Sequence, residues 1–109
     1  FDYIKEKEIF DKTFKIINLN LGDSAFSSIT KAKNIKNDFV TYLFDGISIA
    51  IANLVDRIAV DKKNVKIEEK VYDIKIGSEL QSYKTGTMSS LNKRIELFKE
   101  GVENVIDER

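Results

Sequence analysis

The sequence predicts an all-α fold, a compact bundle of four main helices with one or two short helices, and three observations carry that prediction. The 109 residues include no proline, so the strongest helix breaker is absent. Apolar residues recur every three or four positions in four separate segments, the spacing that lays one stripe along a helix. Gly22, Gly77 and Gly86 fall between those segments, where a chain of helices has to turn.

The first segment covers residues 3–19, with Phe10, Phe14, Ile17 and Leu21 stepping by four, three and four as one buried stripe. Gly22-Asp23-Ser24 reads as a stop and a new cap, followed by a short helical turn through Ala25, Phe26 and Ile29. A polar loop over residues 31–37 leads to the second segment, residues 39–59, with Asn37 or Asp38 expected as its N-cap. That segment is apolar over most of its circumference, which places it in the middle of a bundle. Asp45-Gly46 is a hairpin-type dipeptide and residues 47–51 alternate as a strand would. The three-to-four spacing continues on both sides of Gly46, so helix is the reading, with a kink allowed there. Residues 65–76 set Ile67, Val71 and Ile74 on one face and turn Glu68, Glu69, Lys70 and Lys75 outward. Gly77 stops that helix, and Ser78-Glu79-Leu80-Gln81 has capping-box spacing for a short one. Residues 89–106 form the cleanest amphipathic stretch, through Leu91, Ile95, Phe98, Val102 and Val105.

The length predicts a single helical domain over residues 1–109, and 42% hydrophobic with 33% charged residues is ordinary globular composition. The first residue is Phe rather than Met, so the sequence is read as a fragment of a longer chain or a processed product. No apolar run approaches the ~20 residues that span a bilayer, and the first eight residues lack the pattern of a signal peptide. A cytoplasmic location is the expectation. Cysteine and histidine are both absent, which excludes disulfides, thiolate zinc sites, cysteine nucleophiles and a Ser–His–Asp triad. No cofactor or metal is expected. Eighteen basic residues balance eighteen acidic ones, whereas a protein that grips nucleic acid by its phosphates usually carries a basic excess.

Four features could carry binding. The loop before the last helix, with Lys84, Thr85, Gly86, Thr87 and Ser90, precedes a helix N-terminus whose free N–H groups favour anions. Lys93 and Arg94 follow in its first turns, where positive charge opposes the helix dipole unless an anion or acidic partner shares the site. The bland alternative is that Thr87 or a serine caps the helix and the cations face water. Asp45 and Asp56 share one side of the second helix within about 20°, but ~16 Å apart, too far for one ion. They are expected on a solvated or partner-facing edge. Two lysine groups, Lys31, Lys33 and Lys36, and Lys62, Lys63 and Lys66, would form a basic patch only if their loops met at one end of the bundle.

Three landmarks carry a resemblance. They are Phe14 and Phe26 around a Leu-Gly turn, the run Asn37-Asp38-Phe39-Val40-Thr41-Tyr42-Leu43-Phe44-Asp45, and Gly86-Thr87-Met88-Ser89 leading to Arg94-Ile95. Together, over residues 14–98, they resemble the C-terminal helical region of a bacterial family of unknown function. Its members carry an N-terminal ParB/sulfiredoxin-like domain, and relatives include restriction nuclease subunits and phage-defence proteins. The resemblance implies a role rather than a reaction. The family's catalytic signature pairs Asp-Gly with a following arginine, and Asp45-Gly46 is followed by Ile47, Ser48 and Ile49. Any nuclease or nucleotidase activity would then reside in a missing N-terminal domain.

The leading expectation is therefore a non-catalytic helical accessory module of a larger nucleic-acid-related restriction or phage-defence protein. Its partner would be the rest of its own chain, another protein or a second copy. The alternatives are a nucleic-acid-binding helical domain, using Lys84, Lys93, Arg94 and nearby loop lysines, and a standalone immunity or antitoxin-type binding protein.

Overall fold

The computed structural model describes residues 2–30, 32 and 34–107, and the fold is all-α. Its helices are α1 (Tyr3–Leu21), α2 (Thr41–Ala52), α3 (Val65–Ile76), α4 (Ser78–Gln81) and α5 (Met88–Asp107). Two single 3-10 turns, Gly22–Ser24 and Val55–Arg57, follow α1 and α2. Among the described residues, no helix is long and apolar enough to cross a membrane.

Helix α1 starts where the Asp2 carboxylate accepts the backbone N–H of Lys5 at 3.1 Å, so an acidic cap also meets the positive end of the dipole. It ends at Gly22, whose φ of 66° is a conformation that side chains resist. Its C-terminal half is buried through Thr13, Ile16, Ile17, Asn20 and Leu21. The two polar members are satisfied: the Thr13 hydroxyl donates to Ile9 O at 2.6 Å, and Asn20 donates to Ile16 O at 2.8 Å. The Asn20 carbonyl also accepts the amide of Asn64, the N-cap of α3, at 2.8 Å. Of the predicted stripe, Ile17 and Leu21 are buried and Phe14 partly so, while Phe10 lies 61% exposed.

The connection between α1 and α2 corrects two expectations. Residues 25–29 form no helix. Ile29 instead bridges Ile35 in antiparallel fashion, with Lys36 N donating to Ser28 O and Val40 N to Phe26 O, both at 2.9 Å. Asp38 is not a helix cap either. Its carboxylate accepts the Ser28 amide at 2.8 Å and the Ser28 hydroxyl at 2.6 Å, which clasps the two arms of the loop. Ser28 holds the Asp38 carboxyl below its ordinary range through those bonds. Side-chain-to-backbone bonding competes with helix formation, and here it wins. Helix α2 therefore opens at Val40 without a side-chain cap.

Helix α2 also ends earlier than the predicted residue 59. Leu54 and Val55 turn into the core, and Arg57 in the following 3-10 turn pairs with Glu103 and Asp107 at the end of α5. Tertiary contacts override local helix propensity there. The centre of the molecule is the packing of α5 against α2 on one side and α3 on the other. Gly46 permits the first approach: a Cβ there would lie 3.3 Å from Phe98. Gly101 permits the second, since its Cβ would meet Ile74 at 2.8 Å. Phe98, Val102, Leu43, Ile47, Ile51, Ile67 and Val71 fill the space between. In α3 the face predicted from spacing is the buried one, and Leu80 anchors the short α4. The predicted capping box does not form, because Ser78 is already helical and Gly77 takes the cap position.

Candidate interaction surface

The loop before α5 turns its polar groups on itself. Thr87 Oγ1 accepts the Ser90 amide at 3.1 Å and so caps the helix. The Thr85 hydroxyl meets those of Ser90 at 2.6 Å and Thr87 at 3.1 Å. Gly86 is exposed with open space around it. Lys84 lies 5.2 Å from the centre of the Tyr42 ring and Lys93 5.3 Å from that of Tyr83, each ammonium resting on an aromatic face.

Arg94 departs from the expectation of an outward cation. It is 3% exposed, and its guanidinium forks onto Asp45, Nε at 3.2 Å and Nη2 at 2.9 Å. Its Nη1 donates to the carbonyls of Tyr83 at 2.6 Å and Thr85 at 2.8 Å. The anion that makes a cation tolerable near this helix start is thus internal: Asp45, from α2. One side chain thereby joins α2, α5 and the loop between α4 and α5. Asp45 is accordingly no free acidic edge, and Asp56 sits beyond the end of α2, in the 3-10 turn. The nucleic-acid alternative loses its planar bidentate donor, Arg94, to Asp45 and is left with Lys84, Lys93 and the loop lysines.

The lysine groups do not gather into a site. Lys31 and Lys33 lie outside the described residues, and Lys36 is exposed in the loop. Lys62, Lys63 and Lys66 edge a groove of about 490 Å³ at the start of α3, where Lys63 pairs with Glu68 at 3.3 Å. Among the described residues, no group of three or more acidic side chains could hold a metal ion.

Lys75, expected to face outward, is instead 4% exposed. Its ammonium donates to three carbonyls, those of Ser24 at 3.2 Å, Ala25 at 2.7 Å and Ser27 at 2.9 Å. Burial pushes it down to about 8, with the Asp38 charge acting against that shift. The three acceptors match the three donors of an ammonium and pin the loop after α1 to the end of α3.

An open apolar face lies where α1, α2 and the loop between them meet. Five of the seven phenylalanines meet there in a chain of ring contacts. Phe10 touches Phe14 with centroids 4.7 Å apart, Phe14 stacks on Phe44 at 6.3 Å, and Phe26 and Phe39 pack on Phe44 at 5.0 and 5.6 Å. Phe39 is nevertheless 65% exposed, Phe44 38% and Ile49 39%. Beside them a groove of about 430 Å³ runs between α1 and α2, walled by Ile9, Phe10, Phe44 and Ile49. Ser48 also lines it, and the Ser48 hydroxyl is buried with no hydrogen-bond partner. The sequence carries the relevant signal, a helix apolar over most of its circumference, which reads as a place in the middle of the bundle with an open edge at Asp45 and Asp56 rather than at Phe44 and Ile49.

Compared with protein-family models, with curated proteins and with solved structures, the chain finds no match.

Proposed function

We propose that this chain is a non-catalytic protein-interaction module whose contact surface is the aromatic face of α1 and α2. One observation carries the reading: Phe10, Phe39, Phe44 and Ile49 lie open on one face, where the rings touch one another and Ile49 walls the adjoining groove. Their exposed area is roughly 400 Å², within the range of the largest patch on a typical monomer, which is often functional. Covering it releases roughly 10 kcal/mol before the cost of association, enough to matter in a complex. The absence of histidine and cysteine and the internal pairing of Arg94 with Asp45 agree with binding rather than chemistry. The resemblance to the helical region of ParB/sulfiredoxin-like proteins supports a setting within a larger nucleic-acid-related restriction or phage-defence protein.

The test is site-specific photo-crosslinking in cells that produce the chain in its natural context. A benzophenone side chain at position 10 or 39 should give discrete protein adducts. The same group at Glu79, an exposed residue of α4, should give none. Equal yields at all three positions, or none at 10 and 39, would refute the reading.

A further inference from the structure

The connection between α1 and α2 is held in a different way from the bundle it crosses. Between Gly22 and Val40, Ala25 and Ser27 are buried, and the other described residues are half-buried or exposed. Its two arms, residues 23–30 and 34–39, bond to each other. Thr30 N donates to Asn34 O at 3.0 Å and the Ser27 hydroxyl to Asp38 O at 2.8 Å, beside the Ser28–Asp38 clasp. Among the described residues, the hydrogen bonds that reach from the arms to a neighbouring helix come from one side chain, Lys75. The apolar seat is incomplete: a cavity of about 130 Å³ lies between Ile29 and Ile35 on the arms and Tyr72 and Ile76 on α3.

Segments with little buried apolar surface and exposed backbone hydrogen bonds open at lower free energy than the whole fold. The latch has the same property. Opening returns a desolvated ammonium to water, which offsets part of the loss of its three hydrogen bonds. The packing of Phe98, Val102 and Ile51 in the bundle has no such offset. Both ends of the connection suit a hinge. Gly22 is exposed, with φ 66° and nothing within 4 Å of where a Cβ would stand. Val40 enters α2 from extended backbone without a side-chain cap.

We propose that this connection is a latched strap: its arms open together about Gly22 and Val40, with Lys75 as the latch, while the bundle of α2, α3 and α5 stays folded. Opening lifts Phe26 and Phe39 off Phe44, where their centroids now lie 5.0 and 5.6 Å away. The strap opens whether or not the aromatic face binds a partner.

The chain has no cysteine, so a single introduced thiol reports on a single place. Ser27→Cys puts one on the strap and Val102→Cys puts one in α5, both at buried positions. Each protein should keep its helical circular dichroism. Labelling with a thiol reagent, at concentrations where the rate is proportional to reagent, is compared with the rate in the urea-unfolded chain. The ratio reads how often each site opens. Position 27 should label at least about tenfold faster than position 102 on that scale. Arg94→Met, which loosens the bundle, should speed position 102 about a hundredfold and leave position 27 within about twofold. Ile51→Val, a milder core change, replaces it if Arg94→Met does not fold, with roughly a fivefold effect at position 102 alone. Lys75→Met should speed position 27 at least about tenfold. Equal protection at the two positions, or a parallel rise at both in the core variant, means that the connection opens only with the whole fold and overturns the proposal. Labelling at position 27 that Lys75→Met leaves unchanged overturns the latch.

Discussion

The two sides of α2 make opposite use of similar material. Towards α5, Gly46 fits against Phe98, and the single charge of the helix, Asp45, is paired with Arg94. Towards α1 and the loop before α2, the same helix presents Phe44 and Ile49 to open space and leaves the Ser48 hydroxyl without a partner. Polar groups on the first side are satisfied at distances of 2.6 to 3.2 Å, from a helix, a second helix and a loop. The difference separates what holds the fold from what is left for another surface. A substitution on the closed side should cost stability, and one on the open side should cost association.

The largest effect is expected at Arg94. Arg94→Met leaves the Asp45 carboxylate and two backbone carbonyls without their donor, which should lower the unfolding free energy by about 3 kcal/mol in urea titration. Arg94→Lys should recover little of it, since an ammonium cannot reproduce the fork. An unchanged urea midpoint for Arg94→Met would erase the contrast between the two sides.

Lys75→Met comes next, at about 2 kcal/mol, for the three carbonyls left bare. This lysine also gives a pH signature. Its folded value of about 8 lies below the ordinary 10.5, so between those values the unfolded chain binds the extra proton. Stability contributed by Lys75 should therefore rise as pH climbs from about 8 towards 10.5 and should change little below 8. The Met variant lacks that rise, so the stability difference between the two proteins should widen over the same window. A constant difference across the window would mean the carbonyls keep the ammonium at its ordinary value.

Smaller effects mark the open side. Ser48→Ala removes a buried hydroxyl that has no partner and improves helix propensity, so it should raise stability by up to about 1 kcal/mol, read as an increase in Tm. Phe10→Ser should change stability by no more than about 0.5 kcal/mol while abolishing adducts at position 39. A loss of several kcal/mol for Phe10→Ser would move that ring from the contact surface into the core.

The sequence made the fold class plain, because spacing of three and four is a local property and survives without knowledge of neighbours. It placed α3 and its buried face, and came within one residue of both ends of α5. It overran α2, because the turn after Ala52 depends on Arg57 reaching Glu103 and Asp107, 46 and 50 residues away. It put Phe10 in the core because periodicity names a face and says nothing about what covers it. Arg94 and Lys75 were read as surface charges for the same kind of reason: their partners lie up to 49 and 51 residues distant. One clue to Arg94 was present, a cation one turn before Phe98 and in line with it on the apolar face of the last helix. The open aromatic face had a signal in the helix apolar nearly all round, but a ring awaiting a partner and a ring in a core look alike in one dimension.

The clasp at Lys75 has a reach beyond its own surroundings. The segment it grips continues into Phe26, and the Asp38 clasp leads on to Phe39, so two of the five rings are tied through the loop to an ammonium on α3. Under the proposed function, affinity at the aromatic face would be adjustable from behind: a change confined to Lys75 on α3 would loosen the mounting of those rings without touching the rings themselves.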